Sequence, residues 1–250
     1  MAAGQADGVI EIRELTRLDE LQEAVRLQKE IWGFSDADML PLRLFVVATK
    51  IGGNVLGAFD REHMVGFSIA IPGIKPGGRL YWHSNMMGVT AAYRNRGLGR
   101  ALKLRQRECA LRQGIDLIEW TFDPLELKNA YFNIERLGVI VRRYVLNQYG
   151  YTSSPLHGGL PTDRCVAEWH LTSTRVEKIL AGEQDRPTPT RRISVPREIS
   201  ALRSQDPLRA REIQSSVSRQ FLQAFDGGLA VTGFELTEHG GDYLLSPWPS

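Results

Sequence analysis

An α+β fold is predicted by three features of the chain. Segments that alternate apolar and polar residues are interleaved with segments of helical spacing. A short polar turn joins two of the alternating segments as a hairpin. A glycine-rich turn joins another such segment directly to a basic helix. The composition, 42% hydrophobic and 24% charged over 250 residues, is that of a globular protein and excludes wholesale disorder. The length exceeds the roughly 150 residues of an average domain, so one large domain or a domain with a substantial appendage is expected.

The elements follow in order. Val9 to Leu15 alternates as a half-buried strand does, and Leu18 to Trp32 places Leu21, Val25, Leu27 and Ile31 at helical spacing, with Asp19 and Glu20 where the helix dipole favours negative charge. A second, short helix passes through Leu44 and Val47. Val55 to Phe59 and Met64 to Pro72 are strand-like around the turn Asp60-Arg61-Glu62-His63. The loop Ile74 to Arg79 leads to a strand over Leu80 to Val89, then to a helix over Gly97 to Arg112 that stops at Gly114. Leu117 to Phe122 is a strand, Leu127 to Leu137 a helix, and Val139 to Tyr144 and Cys165 to Leu171 are strands. From Thr172 to Ile199 the proline- and arginine-rich stretch DRPTPTRRISVPRE reads as a linker. A helix over Ala210 to Phe225, with Ile213, Val217, Phe221 and Phe225 on one face, and strands at Leu229 to Leu236 and Tyr243 to Leu245 close the chain. Residues 1–172 are therefore expected to form the main domain, and residues 173–250 a linker plus a small α+β extension.

The net charge of +2 argues against a surface built throughout to clamp nucleic acid. Two cysteines, Cys109 and Cys165, make neither a disulfide scaffold nor a four-cysteine zinc site; reduced thiols in the cytoplasm are expected. The N-terminal stretch lacks the apolar core of a signal peptide, and no apolar run reaches the ~18 residues that cross a bilayer. His63, His157, His170 and His239 lack ligand spacing, so no metal is expected.

The segment Val89-Thr-Ala-Ala-Tyr-Arg-Asn-Arg-Gly-Leu-Gly-Arg-Ala-Leu102 is the most informative. The first amides of a helix lack internal partners, so a turn that opens a helix collects anions. Gly97 and Gly99 remove side chains that would hold a pyrophosphate off the backbone, and Arg94, Arg96 and Arg100 add positive charge. Between Arg94 and Arg112 stand seven basic residues and one acid, Glu108, an excess that the whole-chain balance hides. The pattern suits neither a dinucleotide site, lacking the three-glycine spacing, nor a P-loop, lacking G-K-[ST].

This segment resembles the acyl-CoA-binding motif of the GNAT superfamily of acyltransferases. The element order from Val9 to Leu171, about two-thirds of the chain, follows that fold. The resemblance implies a central mixed, mostly antiparallel sheet flanked by helices, with acetyl-CoA or another acyl-CoA as co-substrate. It implies that Arg94, Asn95, Arg96, Gly97, Leu98, Gly99 and Arg100 contact the CoA pyrophosphate, and that Met87, Gly88 and Val89 meet the pantetheine through backbone groups. In the family's next helix landmark Ala130 and Gly138 match, but Ile134 stands where the usual tyrosine, often the acid for the departing thiolate, would be. The branch suggested by W-T-F-D-P-L and N-A-Y-F-N includes members found beside amino-acid racemases and amidohydrolases, which implies an amino-acid amine as acceptor.

Transfer of an acyl group to an amine needs a base, because an alkylammonium of pKa ~10 is no nucleophile at neutral pH. It also needs a donor for the oxyanion and a proton for the thiolate. His83, six residues before Val89, matches the position of a catalytic glutamate in some family members, and its ordinary pKa of ~6.5 suits the task; by strand alternation Asn85 shares its face. Glu119, with Thr121 and Asp123, lies on one face of its strand as an alternative base; a satisfied, packed face explains the same pattern. Tyr144 is the first candidate for the acid, with Tyr149 and Tyr131 behind it. Asn129 and Asn133, four apart on one helix face, fit pantetheine or thioester contacts, or equally an exposed or capping pair. Arg142, Arg143 and Arg164 fit a substrate carboxylate or a solvated strand face. Cys109 reads as a packing residue. The expectation is an N-acyltransferase that moves an acetyl or succinyl group to a small-molecule amine within a ternary complex, as a monomer or homodimer without nucleic-acid or membrane partners. The alternative is an acyl-CoA-binding module without catalysis.

Overall fold

The computed structural model describes residues 9–150 and 159–248. The chain divides into two compact units, which meet in sequence at Ile115 and Asp116. The expected division at 172/173 falls inside the second unit, whose sheet runs on through it. His157 lies outside the described residues. Among the described residues, no helix is long and apolar enough to cross a membrane.

In the first unit, β1 (Ile10–Glu14), β2 (Asn54–Asp60), β3 (His63–Ile74) and β4 (Leu80–Val89) form an antiparallel meander in sequence order. Helix α1 (Leu18–Trp32) carries Asp19 and Glu20 in its first turn and ends at Gly33, whose φ of 65° is the left-handed conformation that stops a helix. Helix α2 (Leu42–Lys50) starts directly after Pro41, as proline's fixed φ favours. Leu21, Ala24 and Leu27 of α1 and Phe45 and Ala48 of α2 cluster with Val55, Phe67 and Ile69 of the sheet. Gly88 lies against the α1 residues Ile31 and Trp32, whereas its neighbour Met87 reaches Gly99 of α3 (Leu98–Arg112). Alternation along β4 thus puts α1 and α3 on opposite faces.

A bulge interrupts the β3–β4 ladder. Ile69 faces Met86 and Ala70 faces Ser84, so Asn85 has no partner opposite. The expectation that Asn85 shares the face of His83 is corrected by this extra residue. His83 lies opposite Ile71, and Met86, not Asn85, takes the next place on its face.

In the second unit, β5 (Leu117–Phe122), β6 (Ile140–Val145), β7 (Arg164–His170), β8 (Arg191–Pro196), β9 (Leu229–Thr237) and β10 (Gly240–Pro247) lie in the order β5-β7-β6-β9-β10-β8, antiparallel throughout. Helix α4 (Leu127–Tyr131) widens into a π-helical turn over Phe132–Arg136, where a plain helix to Leu137 is expected. Helices α5 (Thr174–Leu180), α6 (Ile199–Gln205) and α7 (Pro207–Asp226) complete the unit. The Trp169 indole donates to the Leu137 carbonyl at 2.7 Å. Phe221 of α7 stacks on Tyr144 at 5.2 Å and meets Tyr243 edge-on at 5.0 Å. Trp169 and Tyr144 share one face of β7 and β6, so α7 and the π turn cover that face.

The linker expected between Thr172 and Ile199 is not one throughout. Ser173 caps α5 by accepting a hydrogen bond from the Val176 amide at 3.3 Å. Ile193 and Val195 of β8 are buried while Arg192 and Ser194 are exposed, a period of two hidden in the sequence by the prolines on either side.

Candidate functional site

The turn that follows β4 is held from three directions. The Thr90 amide closes the end of the sheet on the Val65 carbonyl at 2.9 Å. The Tyr93 hydroxyl donates to the Asp60 carboxylate, which, with burial, pushes the phenol pKa up. Arg94 donates to the carbonyls of Val89 at 3.2 Å and Ile31 at 3.1 Å, tying the end of β4 to the last turn of α1, where a cation is favoured. The Arg96 guanidinium lies 5.5 Å from the centre of the Tyr93 ring. Asn95 and Gly97 both have left-handed backbones, with φ of 62° and 80°.

Gly97 is the N-cap of α3 and offers no side-chain cap. By helix geometry the amides of Leu98, Gly99 and Arg100 have no partner inside the helix; that of Ala101 is bonded to the Gly97 carbonyl at 3.0 Å. Leu98 is buried and anchors the turn, while Arg96 is exposed and Arg100 half-buried. A Cβ at Gly97 would touch nothing within 4 Å, so this glycine is needed for its φ. A Cβ at Gly99 would meet only the Met87 methyl, at 3.8 Å, so neither conformation nor packing requires glycine there. Both features fit a turn that admits a phosphate group to the backbone.

Further up β4, His83 is half-buried and Ser84 points to the opposite face. Lys103 of α3, one of the seven basic residues from Arg94 to Arg112 and marked by no motif, is buried and donates to Ser84 Oγ at 2.8 Å and to Gln106 Oε1 at 3.2 Å. Burial pushes its amine down to about 7. Cys109 is a buried thiol beside Glu14, and burial together with that carboxylate raises its pKa, which removes the reactivity an arginine field would have given it.

In the second unit, Glu119 of β5 lies opposite Glu168 of β7, both buried on the face away from Trp169. A bulge at Arg142 turns two consecutive arginines towards them. Arg143 donates to Glu119 at 2.6 Å and approaches Glu168 at 3.5 Å, and Arg142 donates to Glu168 at 2.6 Å. Burial works against the Glu168 charge, but hydrogen bonds from His170 and Arg142 and the charges of both arginines outweigh it and hold this carboxyl at about 2. Glu168 could have been found only from strand register, which a single sequence does not supply. On the same face Thr121 Oγ1 is hydrogen-bonded to the exposed Tyr149 hydroxyl at 2.9 Å.

Tyr144 is placed differently from Tyr149. It lies under α7, bonded to Ser218 at 2.9 Å and donating to Asp163 at 3.2 Å, and burial drives its pKa far up. Ile134 is fully buried. Asn133 is buried and donates to the exposed Asn129 at 3.3 Å. Tyr131 is half-buried on α4. Asp123 caps the turn after β5 by accepting from the Leu125 amide at 2.8 Å, and its other oxygen accepts from Arg203 at 2.8 Å. Arg164 donates to the Asp163 carbonyl at 3.0 Å and lies 5.5 Å from the Tyr149 ring centre. The structure thus assembles the Gly97 turn in one unit and a Glu119–Glu168–Arg142–Arg143 cluster with Tyr149 in the other, and it sets Tyr144 apart from that cluster.

No family model matches the chain, and no curated protein does. Many solved structures do. One is the ribosomal-protein-S18-alanine N-acetyltransferase of Escherichia coli, with a TM-score of 0.52 and 15% identity over 66% of this chain and 96% of that one. Another is YncA of Salmonella typhimurium, solved with its cofactor acetyl-CoA, with a TM-score of 0.51 and 19% identity over 66% and 96%. A third is an acetyltransferase of the GNAT family from Streptococcus pneumoniae, with a TM-score of 0.50 and 16% identity over 64% and 97%. At these identities the likeness is one of fold: about two-thirds of the chain has the fold of GNAT acetyltransferases.

Proposed function

We propose that the protein is a CoA-dependent N-acyltransferase that moves an acetyl or other short acyl group from acyl-CoA to the amine of a small molecule such as an amino acid, by direct transfer in a ternary complex. The observation that carries the proposal is the Arg94–Arg100 turn. Gly97 is required for its φ, Gly99 is required by neither conformation nor packing, and the helix opens without a side-chain cap. The pyrophosphate would lie on the amides of Leu98, Gly99 and Arg100, with Arg96 and Arg100 beside it. Arg94 would act by holding the turn, since its guanidinium is already bonded to two carbonyls. The pantetheine would follow the backbone of Met87, Gly88 and Val89.

His83, on β4 before the bulge, is assigned the base that takes a proton from the acceptor amine. Glu119 is the alternative base; its carboxylate is already bridged by Arg143, which suits it better to orienting a cationic amine than to taking its proton. For the acid, exposed Tyr149 is favoured over Tyr144, whose hydroxyl is enclosed between Asp163 and Ser218. Asn129 and Asn133 are assigned to pantetheine contacts.

A second reading, a module that binds acyl-CoA without turning it over, is favoured by one observation. Ile134 fills the family's tyrosine position with a fully buried apolar side chain. One experiment separates the two. CoA should raise the melting temperature under both, by about 2.7 kcal/mol of stability at a hundredfold excess over Kd. Release of free thiol from acetyl-CoA in the presence of a panel of amino acids and amines should occur only for the enzyme. No thermal shift with CoA would end both.

A further inference from the structure

The last residue of α1 leans on the strand assigned to the pantetheine. A Cβ built on Gly88 would lie 2.5 Å from Trp32 Cη2, 2.8 Å from its Cζ2 and 3.0 Å from Ile31 Cδ1, so the indole edge rests on the β4 backbone itself. Phe67, directly opposite Gly88 in the ladder, meets Trp32 edge-on at 5.9 Å. Phe34, just past the end of α1, stacks on the indole at 5.5 Å with planes 16° apart. Leu40, Ile71 and Met86 border the same core and, like Trp32, are only partly buried. His83 shares this face of β4 with Met86 and Gly88.

We infer that this aromatic and aliphatic wall receives the acyl group, that the group is therefore neutral and apolar, and that Trp32 limits its length. The inference rests on the acyl-CoA reading and narrows it to one substrate class. An acyl chain leaving the Met87–Gly88 backbone on the α1 side meets Trp32 and Met86 within the space of a few carbons. A terminal carboxylate there would lose its water against apolar side chains. A short alkyl group would cover apolar surface that is otherwise partly wet. Glycine at position 88 is explained by the same contact, because any larger residue would push the indole off the strand.

The test needs no acceptor. Binding of CoA, acetyl-CoA, butyryl-CoA, hexanoyl-CoA and succinyl-CoA to the full chain is measured by calorimetry, for the wild type and for Trp32→Ala and Phe34→Ala. In the wild type, acetyl-CoA binds at least as tightly as CoA, hexanoyl-CoA no more tightly than acetyl-CoA, and succinyl-CoA at least about tenfold more weakly than acetyl-CoA. Trp32→Ala leaves CoA affinity within about twofold and tightens hexanoyl-CoA by about tenfold, a conservative share of the roughly fourfold that each buried methylene contributes. Phe34→Ala shifts the same ratio in the same direction if Trp32→Ala does not fold. Succinyl-CoA bound as tightly as acetyl-CoA overturns the inference while leaving the acyl-CoA reading intact. So does an unchanged chain-length profile in both folded variants. Failure of CoA itself to bind removes the cradle and this inference together.

Discussion

Alanine at Gly97 and alanine at Gly99 should move stability and cofactor affinity in separable ways. Gly97 has a φ of 80°, and a methyl there touches nothing, so its cost is purely that of holding an L-residue in the left-handed region, about 1–2 kcal/mol. Gly99 lies inside α3, where alanine is the better helix former by up to about 1 kcal/mol, and its methyl would meet only Met87 at 3.8 Å. For a chain of this size 1 kcal/mol is worth roughly 2–4 °C. Gly97→Ala should therefore melt several degrees lower, and Gly99→Ala at the wild-type temperature or slightly above it. The Gly99 methyl nevertheless enters the space beside the first amides of α3, where the pyrophosphate would approach. Gly99→Ala should weaken CoA binding by tenfold or more, about 1.4 kcal/mol. The assay is melting temperature against CoA concentration for the two variants and the wild type. A Gly99→Ala protein that melts as the wild type and keeps the wild-type CoA midpoint would refute the assignment of that glycine to a ligand.

Three further outcomes follow. Tyr144→Phe should cost about 1 kcal/mol of stability, its two partners being bonded to each other at 2.7 Å, and leave thiol release unchanged, whereas Tyr149→Phe should slow thiol release with little effect on melting; the opposite pattern in the same two assays would restore Tyr144 as the acid. Glu168 is held at about 2, below an ordinary value of 4.5, so it adds stability that is complete above that value and lost as the pH falls towards 2, on the order of 2–3 kcal/mol; urea midpoints from pH 6 to pH 2 should fall less steeply in Glu168→Gln, and equal slopes would show that other groups carry the acid sensitivity. Arg203→Ala should cost about 3 kcal/mol, because buried Arg203 is bonded to Asp123 at 2.8 Å and to Glu126 at 2.7 Å; a melting temperature within a degree of wild type would place that ion pair among the dispensable surface ones.

Local periodicity and turn chemistry are what a single sequence carries, and the elements that depend on them were legible. The bounds of α1, β4 and β5 agree with the residues themselves, because caps, glycines and alternation mark them. Register is not carried, and what depends on register was hidden. The bulge at Asn85 exchanged Asn85 for Met86 on the face of His83. The bulge at Arg142 turned two neighbouring arginines, which strict alternation would put on opposite faces, towards one pair of carboxylates. Glu119 was identifiable as polar on a strand face; its partner Glu168, forty-nine positions on, was not.

The C-terminal residues illustrate the limit from the other side. Composition marks residues 185–198 as linker-like because prolines and arginines recur in them, yet β8 there completes a sheet edge against β10. The sequence feature that outweighs the prolines is the alternation of Ile193 and Val195 with Arg192 and Ser194. Nor do the residues after the 172/173 boundary behave as an addition to a finished unit. Arg175, buried, donates to the carbonyls of Gly138 at 3.2 Å and Thr232 at 2.7 Å, and the Tyr243 hydroxyl donates to the Pro124 carbonyl at 2.6 Å. Removing them would leave the Gly138 and Pro124 carbonyls without these donors and would uncover the Tyr144 ring that Phe221 stacks on. A buried polar group stripped of its partner costs about 1–3 kcal/mol, and each uncovered aromatic about 1.5–3 kcal/mol more. Together these approach the whole stability of an ordinary domain, about 5–15 kcal/mol. The extension is thus bound into the fold of the second unit, and the turn after β5 that carries Asp123 is shaped partly by residues more than seventy positions later.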